Sequence, residues 1–501
     1  MRSILELLRE IYERLTAGGT TEQQAVQSGV WVAGINVGDR VLQLLNVIIL
    51  ARLLSPRAFG LLGIALVVMM GLNQFSRLGF DEALIHNEKE DIDDYLNTLW
   101  VMKIGRTTVV AVIAILIGPP LAAFFGEPQA GRLIQVLGGA QLLLGLQNPG
   151  IVYFQKDLNF HREFVYQVGS RFTDLVVAVA FALVFGSVWA LVAGNVASKV
   201  VKLVMSYGIH SFRPTIEFEL DYAMEMFDFG KWMFISTILV FLYGQADDAF
   251  VGWFFTAGAL GFYQLAYRFS NAPATEITHV ISRVAFPTLS KVQNDIGRLR
   301  EGYFRAVQLS SVVAFPMAAG IAAVAPQFVP SVLGNQWDPM IPLMQALAVF
   351  GGIRSFGANV GSVFKAVGKP DTEAKYQAIK TVIIAILIYP AAEHFGVVGV
   401  VYAIIASAFF VIPPQTYIIL SIIDSTATRL LKYVVPPFIA STIMCLTVLA
   451  VDRYVLSETG LLQFVLLIVV GVVLYSSIMI VIEIKTEYNF RSIYTVIQNS
   501  V

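Results

Sequence analysis

Residues 28–53 read SGVWVAGINVGDRVLQLLNVIILARL, an apolar stretch long enough to cross a bilayer as a helix. Two ionisable residues, Asp39 and Arg40, interrupt its middle. At 1.5 Å per residue, Arg40 lies roughly 18 Å from either end of the stretch, near the membrane midplane. A charge at that depth is costly, so it normally faces a polar interior and marks a transport pathway. This stretch therefore predicts a membrane helix with a transport role.

The composition of the whole chain agrees with this prediction. The 501 residues are 56% hydrophobic and only 14% charged, with a mean hydropathy of +0.70. These values exclude a soluble globular protein and a disordered one, and they indicate a membrane protein with many spans. The single cysteine, Cys445, excludes internal disulfides and Cys-based metal sites.

Further apolar stretches follow along the chain, and the fold class they predict is an all-α polytopic membrane protein with about 14 transmembrane helices. No soluble domain fits between them. The predicted spans are 28–53, 59–84, 94–125, 129–153, 163–186, 187–209, 229–254, 258–288, 302–326, 339–364, 376–392, 395–423, 433–451 and 460–482.

The loop charges predict the orientation. With both termini in the cytoplasm, cytoplasmic segments carry 17 Lys and Arg residues, and external segments together with the external span ends carry 4, namely Arg52, Arg57, Arg132 and Arg453. Such a bias is typical of the positive-inside rule. Residues 1–15 mix bases and acids and contain no long apolar core, so they do not resemble a signal peptide. Their helical spacing of apolar residues predicts a short amphipathic helix on the cytoplasmic interface, with a frayed tail as the alternative.

A shift of 201 residues reveals an internal repeat. The identities coincide with the same order of span, turn and span, so the repeats are parallel. The aligned pairs are Gly29 with Gly230, Trp31 with Trp232, Ala58 with Ala259, Gly60 with Gly261, and Ala65 with Ala266.

The repeat divides the spans into six plus six, followed by two more. The predicted organisation is a cytoplasmic amphipathic segment (1–27), an N-terminal six-helix lobe (28–209), a cytoplasmic linker (210–228), a C-terminal six-helix lobe (229–423), two additional helices (424–483) and a cytoplasmic tail (484–501).

Several short segments resemble the polysaccharide transporters of the multidrug/oligosaccharidyl-lipid/polysaccharide flippase superfamily, especially its colanic-acid or lipopolysaccharide exporter branch. Their order and spacing carry the resemblance, and they spread over most of the chain. The segments are ARLLSPRAFG (51–60), FQKDLNF (154–160), VWALVAG (188–194), FGKW (229–232), LGFYQLAYR (260–268) and FPTLS (286–290).

The resemblance implies a fold and a function. The fold would be two six-helix lobes in a V around a central cavity, with the last two helices outside. The function would be to flip a polyprenyl-(pyro)phosphate-linked oligosaccharide from the cytoplasmic to the outer leaflet of the cell membrane by alternating access. Such a flippase serves surface polysaccharide or glycoprotein glycan assembly. Its partners would be the lipid-linked oligosaccharide, membrane lipids and the glycan polymerase or glycosyltransferase machinery, and not nucleic acid.

Bases outnumber acids inside the predicted spans, which indicates an anionic substrate. Arginine suits phosphate because its planar fork binds two oxygens at once. Bases near the span ends, such as Lys202, are better explained by snorkelling to the interface. The five deep bases predicted to bind the headgroup are Arg40, Arg171, Lys199, Arg268 and Arg354. A structural ion pair is the alternative for Arg40, and pairing with Asp174 at i, i+3 is the alternative for Arg171.

The deep acids are candidates for coupling transport to Na⁺ or H⁺, although structural ion pairs explain them equally well. Asn46 lies seven residues after Asp39, so both share one face of their helix. The candidate acids are Asp39, Asp174, Asp247 and Asp248.

Enzymatic patterns are missing from the sequence. There is no Walker-type phosphate loop, no nucleophile elbow and no metal-ligand cluster, so we expect a non-enzymatic protein without a resident cofactor. Two rival functions remain. One is a multidrug or small-solute antiporter on the same fold, which would favour an acidic interior. The other is a membrane scaffold of a glycan-assembly complex that transports nothing.

Overall fold

The structure, a computed structural model, describes residues 21–76, 93–157, 159–222, 224, 244–293, 295–454, 460–486 and 488. These residues form helices and no strand, as the all-α prediction requires. The helices are α1 (Thr21–Leu53), α2 (Pro56–Gln74), α3 (Asp93–Phe124), α4 (Pro128–Gly139), α5 (Gln141–Gly145), α6 (Tyr153–Lys156), α7 (Phe160–Phe185), α8 (Trp189–Ile209), α9 (244–254), α10 (Ala257–Lys291), α11 (Ile296–Phe328), α12 (Ile341–Ala366), α13 (Pro370–Ile422), α14 (Ala427–Tyr454) and α15 (Leu461–Thr486).

Membrane spans dominate the described part of the chain. Ten of its helical segments are long and apolar enough to cross a bilayer. Two predicted spans, 376–392 and 395–423, correspond to the two parts of α13. These parts are separate helices that meet at Gly396, whose φ of 63° and ψ of −148° are not helical and favour glycine. Residues 1–20, most of 229–254 and the tail after 488 lie outside the described residues, so the total of fourteen stays a prediction.

The prediction of one continuous span over 129–153 is wrong. The segment instead contains α4, α5, a 3₁₀ helix at Pro149–Val152 and the start of α6. Pro149 has no backbone N–H and cannot continue an α-helix from the preceding residues. Asn148 caps the new start, because its Oδ1 accepts the backbone N–H of Gly150 at 2.9 Å. Helical periodicity alone did not reveal this break.

The described helices pack into two compact units, Met1–Gly261 and Phe262–Val501. In the first unit α7 packs against both α1 and α8, and α4 packs against α2 and α3. In the second unit α11 contacts α12, α14 and α15, and α13 packs on α12. The division of the helices into two lobes on either side of residues 210–228 remains a prediction.

Two helix starts within the first unit share the same local structure and support the 201-residue repeat. Ser55 Oγ accepts the N–H of Ala58 at 3.4 Å at the start of α2. At the start of α10, Thr256 Oγ1 accepts the N–H of Ala259 at 3.2 Å. Ser55 and Thr256 are 201 residues apart, as are Ala58 and Ala259. Both repeats therefore begin a helix with the same hydroxyl cap.

These two helix starts also touch each other through their backbones. A Cβ atom on Gly60 would overlap the carbonyl oxygen of Ala257, and one on Gly261 would overlap that of Pro56. Gly60 and Gly261 are themselves a pair of the repeat. Glycine is therefore needed at both positions so that α2 and α10 can approach this closely.

The last two helices are fastened to α11 by polar contacts. Tyr475 on α15 donates its hydroxyl to the carbonyl of Val312 at 2.7 Å. Gln327 donates its side-chain amide to Asp452 Oδ1 on α14, also at 2.7 Å. Hydrogen bonds between apolar helices fix their register, which packing of aliphatic side chains leaves loose.

The first part of the predicted linker lies against the first unit. Asn97, at the start of α3, accepts the N–H of Thr215 at 2.9 Å and donates to Glu217 Oε2 at 2.8 Å. Asn148 donates its side-chain amide to the carbonyl of Phe212 at 2.6 Å. Because these bonds satisfy backbone groups of an irregular segment, residues 212–217 have a defined path.

Asn148→Ala is expected to lower the stability of the first unit by about 2 kcal/mol, because it removes the partner of the buried Gly150 amide and one of the two hydrogen bonds to the Phe212 carbonyl. Thermal unfolding of the detergent-purified protein measures the change. Asn97→Ala, which removes only exposed hydrogen bonds, serves as the control and should cost less. An unchanged midpoint in Asn148→Ala would show that the buried amide is not structural.

Candidate functional site

Three predicted bases lie near the midpoints of neighbouring helices in the first unit. Arg40 is central in the span Gln27–Leu53, and Lys199 is central in Trp189–Ile209. Arg171 lies near the middle of α7, which packs between the other two helices. Such positions are the most costly in a bilayer. Because the three helices are adjacent, we take this part of the unit as the candidate site.

Small residues on α1 bring it close to α7. A Cβ on Gly34 would lie 3.5 Å from the ring of Phe164, and one on Gly38 would lie 3.3 Å from Val168. Trp31 adds a tilted aromatic contact with the ring of Phe164 at 5.3 Å. Small residues allow membrane helices to approach closely. This contact sets the register that brings Asp39 opposite α7.

Arg171 lies between two carboxylates. Its Nε donates to Asp39 Oδ1 at 2.7 Å, and its Nη1 lies 3.5 Å from Asp174 Oδ2. Asn46 donates its amide to the same Asp174 oxygen at 3.3 Å. The pairing of Arg171 with Asp174 is confirmed, and the shared helix face of Asp39 and Asn46 is confirmed by their common neighbour α7. The stronger partner, Asp39, comes from a different helix.

Helix α8 encloses Asp174 from the other side. A Cβ on Gly194 would lie 2.5 Å from Asp174 Oδ1 and 2.7 Å from the Cβ of Ala178. Only glycine leaves room for the carboxylate at this contact. The side chain of Asp174 is accordingly 13% exposed, against 40% for Asp39. Asp39 is therefore the carboxylate that solvent or an ion reaches more easily.

Two lysines on α8 add positive charge without a carboxylate partner. Lys199 is half-buried and makes no hydrogen bond or ion pair with the described residues. Lys202 donates to Gln167 Oε1 at 3.0 Å, and its Nζ lies 5.5 Å from the centre of the Tyr166 ring. Lys202 also lies within electrostatic reach of Arg171 and Asp39. The site thus has positive charge that its own acids do not neutralise.

The Tyr166 ring next to Lys202 carries a hydroxyl that forms a further hydrogen bond. The hydroxyl of buried Tyr166 donates to Gln147 Oε1 at 2.9 Å. The Nε2 of Gln147 is shielded from solvent and has no hydrogen-bond partner among the described residues. A buried donor without a partner costs free energy that an incoming acceptor recovers. Gln147 therefore ends a series of polar contacts that starts at Lys202 and passes through Tyr166.

The other predicted residues are placed differently. Arg40 donates to Gln43 Oε1 at 2.9 Å along its own helix. In the second unit, Arg354 donates to the hydroxyl of Tyr267 at 3.0 Å, and the neighbouring Arg268 is exposed. The acids Asp247 and Asp248 are half-buried in α9.

Sequence reasoning missed the polar residues around Lys202. It treated Lys202 itself as a snorkelling base, although Lys199 three residues earlier places both on one side of α8. Gln167 lies one helical turn before Arg171, so helical spacing also indicates that it shares a face with that base. No sequence pattern indicates Tyr166 or Gln147, because the helix break next to Gln147 was not predicted.

This arrangement has the chemistry of an anion-binding site. In the middle parts of α1, α7 and α8, four bases accompany the two acids Asp39 and Asp174; the bases are Arg40, Arg171, Lys199 and Lys202. No group of three or more His, Cys, Asp or Glu residues suited to a metal occurs among the described residues. Phosphate oxygens accept charge-assisted hydrogen bonds from such bases.

Sequence comparison shows where such a chain belongs. Residues 49–342 match a family model described as polysaccharide biosynthesis protein. The chain is 26% identical over 380 residues to the lipopolysaccharide biosynthesis protein WzxC of Escherichia coli K12, covering 75% of this chain and 77% of the relative. It is 27% identical over 342 residues to the succinoglycan biosynthesis transport protein ExoT of Rhizobium meliloti, covering 68% of each.

The fold also has a solved counterpart. The lipid II flippase MurJ, in an inward closed conformation, superimposes with a TM-score of 0.72 at 13% identity, covering 91% of this chain and 98% of the other. This likeness shows a shared polytopic helical fold. The family match extends over more than half of the sequence and includes Arg171, Lys199 and Lys202, whereas Asp39 and Arg40 of α1 precede it. The chain is a multi-pass membrane protein that belongs to the polysaccharide biosynthesis protein family.

Proposed function

We propose that this protein is a flippase that moves a polyprenyl-pyrophosphate-linked oligosaccharide from the cytoplasmic to the outer leaflet of the cell membrane. The observation that carries the proposal is the pair formed by Lys199, at the middle of its span, and Lys202, about one turn nearer its end, because no described carboxylate forms an ion pair with either. A charged headgroup cannot enter hydrocarbon unaided, so a carrier must offer it such a polar surface. The relatives in polysaccharide biosynthesis and transport support a glycan as the cargo.

The headgroup phosphates would bind Lys199 and Lys202 first. Arg40, Arg268 and Arg354 stay predicted ligands of the headgroup. The site would open to the two sides of the membrane in turn, and we expect both termini on the cytoplasmic side.

The charge balance distinguishes this function from its rivals. A carrier of organic cations needs acids that remain available, whereas Asp39 and Asp174 are both engaged by Arg171. A scaffold without cargo gains nothing from uncompensated lysines at mid-membrane, which cost free energy. Transport of an anionic headgroup explains both observations. Glycan polymerases or glycosyltransferases are the expected partners in the membrane.

Reconstitution tests the proposed function directly. Proteoliposomes would contain a fluorescent polyprenyl-pyrophosphate oligosaccharide, and a membrane-impermeant quencher would report how much label changes leaflet with time. We expect the protein to accelerate this exchange relative to protein-free vesicles. Equal exchange in both would contradict the proposal, and export of a fluorescent organic cation by the same vesicles would favour the antiporter.

Lys199→Met is expected to slow flipping about tenfold, because it removes a mid-membrane charge while keeping a side chain of similar length. The same proteoliposome assay measures the rate. Lys375→Met is the matched control, since Lys375 is exposed and pairs with Asp371 at 3.0 Å on its own helix. Equal rates in both variants would remove Lys199 from the site.

A further inference from the structure

Helix α1 has a polar face that lies away from its closest contact with α7. This face is formed by Asn36, Arg40 and Gln43, which follow one another at i, i+4 and i+7 and therefore share one side of the helix. Asn36 is exposed, and the other two side chains are half-buried. The residues nearest to α7, Gly34 and Gly38, lie about 120° or more around the helix from each of them.

A second exposed face of α1 is apolar. It is formed by Val37, Val41 and Leu45, which suit contact with lipid chains. Asn36 and Gln43 lie more than about 13 Å from the ends of their span, and an amide in hydrocarbon at that depth loses its hydrogen bonds to water. The apolar face is therefore the lipid side of α1, and the polar face is the side that meets a water-filled path.

Small residues continue the polar face toward the start of α1. Gly29 and Ala33 keep the same spacing before Asn36, and both are exposed. A Cβ on Gly29 would meet no atom within 4 Å. Space for a bulky group therefore lies beside the first turns of α1. Asp39, which pairs with Arg171, joins this face to the candidate site.

The amides of the polar face match sugar hydroxyl groups. Arg40 has only donors, so Gln43 must accept its hydrogen bond through Oε1, which leaves the two donors of Nε2 for another partner. The side chain of Asn36 forms no hydrogen bond with the described residues and keeps both a donor and an acceptor. A hydroxyl both donates and accepts, whereas an ionised phosphate only accepts. Neutral amides therefore complement a glycan better than they complement a pyrophosphate.

We infer that Asn36 and Gln43 on α1 bind hydroxyl groups of the glycan, beside the bases that bind its pyrophosphate. The inference rests on the proposed function and deepens it by dividing the site into two parts. Lys199 and Lys202 attract the phosphates, which carry no information about the sugar, whereas α1 selects the glycan. Residues 36–43 extend about 10 Å along the helix axis, which is long enough to contact more than one sugar ring.

Calorimetric binding to the full-length protein in detergent tests this inference with probes of equal charge. The reference probe is farnesyl pyrophosphate that carries a methyl ester on its terminal phosphate. The glycosylated probes carry glucose, galactose or N-acetylglucosamine in place of the methyl group. We define the sugar preference as the affinity for the best glycosylated probe divided by the affinity for the methyl ester. Because the charges are equal, this ratio reports contacts with the sugar and not with the phosphates.

We expect the wild type to show a sugar preference of about tenfold or more. Asn36→Leu and Gln43→Met keep the approximate size of each side chain and remove its amide, so each should lower the preference about fivefold, the effect of one lost hydrogen bond. Gln135→Met is the matched control, since it removes an amide of α4 that donates to the carbonyl of Ile115. This control should keep the full preference. Binding of the methyl ester by each variant shows that the variant is folded.

The outcomes separate the inference from the proposed function. If the wild type prefers no glycosylated probe, or if Asn36→Leu and Gln43→Met both keep the full preference, the glycan role of α1 is wrong. The flippase proposal survives either result when Lys199→Met weakens binding of the methyl ester. If Lys199→Met binds the methyl ester as tightly as the wild type does, the headgroup site itself is wrong, whatever the sugar preference of the α1 variants.

Discussion

Arg171→Ala is expected to reduce flipping about a hundredfold, the largest functional effect of any single substitution in this site. The variant loses one base and also leaves Asp39 and Asp174 charged beside the headgroup path. At an effective dielectric constant of about 20, one charge about 5 Å from a phosphate costs roughly 3 kcal/mol. A hundredfold loss corresponds to roughly 2.7 kcal/mol. Repulsion of the phosphate by a single, partly shielded carboxylate is therefore enough to cause it. The proteoliposome assay measures the rate.

Two further variants test the physical cause of that loss. Arg171→Lys keeps the charge and should retain most of the activity, although it loses the two-pronged contact with the carboxylates. Adding Asp39→Asn and Asp174→Asn to Arg171→Ala removes the exposed negative charge and should recover part of the rate. Wild-type flipping by Arg171→Ala would contradict a role for this residue, whereas absence of recovery would assign the whole loss to the missing guanidinium.

Gly60→Ala is expected to destabilise the protein by about 3 kcal/mol, which is the largest expected effect on folding. The new Cβ would overlap the carbonyl oxygen of Ala257, a backbone atom that no change of side-chain rotamer can move. Relief requires α2 and α10 to separate where they start, and overpacking of this kind costs about 1–3 kcal/mol or more. The thermal unfolding midpoint and the yield of monodisperse protein measure the effect.

Gly105→Ala is the matched control for that substitution. Gly105 lies within α3, and a Cβ at this position meets no atom within 4 Å. Alanine favours a helix over glycine by up to about 1 kcal/mol, so this variant should be neutral or slightly stabilised. Equal midpoints for Gly60→Ala and Gly105→Ala would show that the two helix starts separate without cost.

Much of the fold could be predicted from local sequence. Span length, hydropathy and the distribution of loop charges are properties of short segments, and most predicted spans coincide with helices of the structure. The 201-residue repeat was visible in scattered identities, and the hydroxyl caps at Ser55 and Thr256 support it. The break before Pro149 was missed, because the flanking residues keep an apolar, helix-like pattern across it.

The candidate site was predictable only in part. Depth along a span identified Arg40, Arg171 and Lys199 as unusual, since cost of burial depends on position in the membrane. The position of a base along its span does not reveal whether a carboxylate pairs with it. Arg171 pairs with Asp39, which lies 132 positions earlier in the sequence, whereas Lys199 forms no ion pair with a described carboxylate. The contact between Tyr166 and Gln147 could not be predicted either, since Gln147 lies in the broken helix segment.

The sequence by itself determined that this chain is a helical membrane protein with a repeat and a cationic interior. Hydropathy, helix length and net charge act locally, and the resemblance to exporters of polysaccharides rests on short ordered segments. Only the tertiary structure decided which charges are paired. Ion pairing depends on which helix faces meet, and the small residues Gly34, Gly38 and Gly194 set those contacts. Packing thereby pairs Arg171 with the carboxylates of Asp39 and Asp174 and leaves Lys199 and Lys202 without carboxylate partners among the described residues.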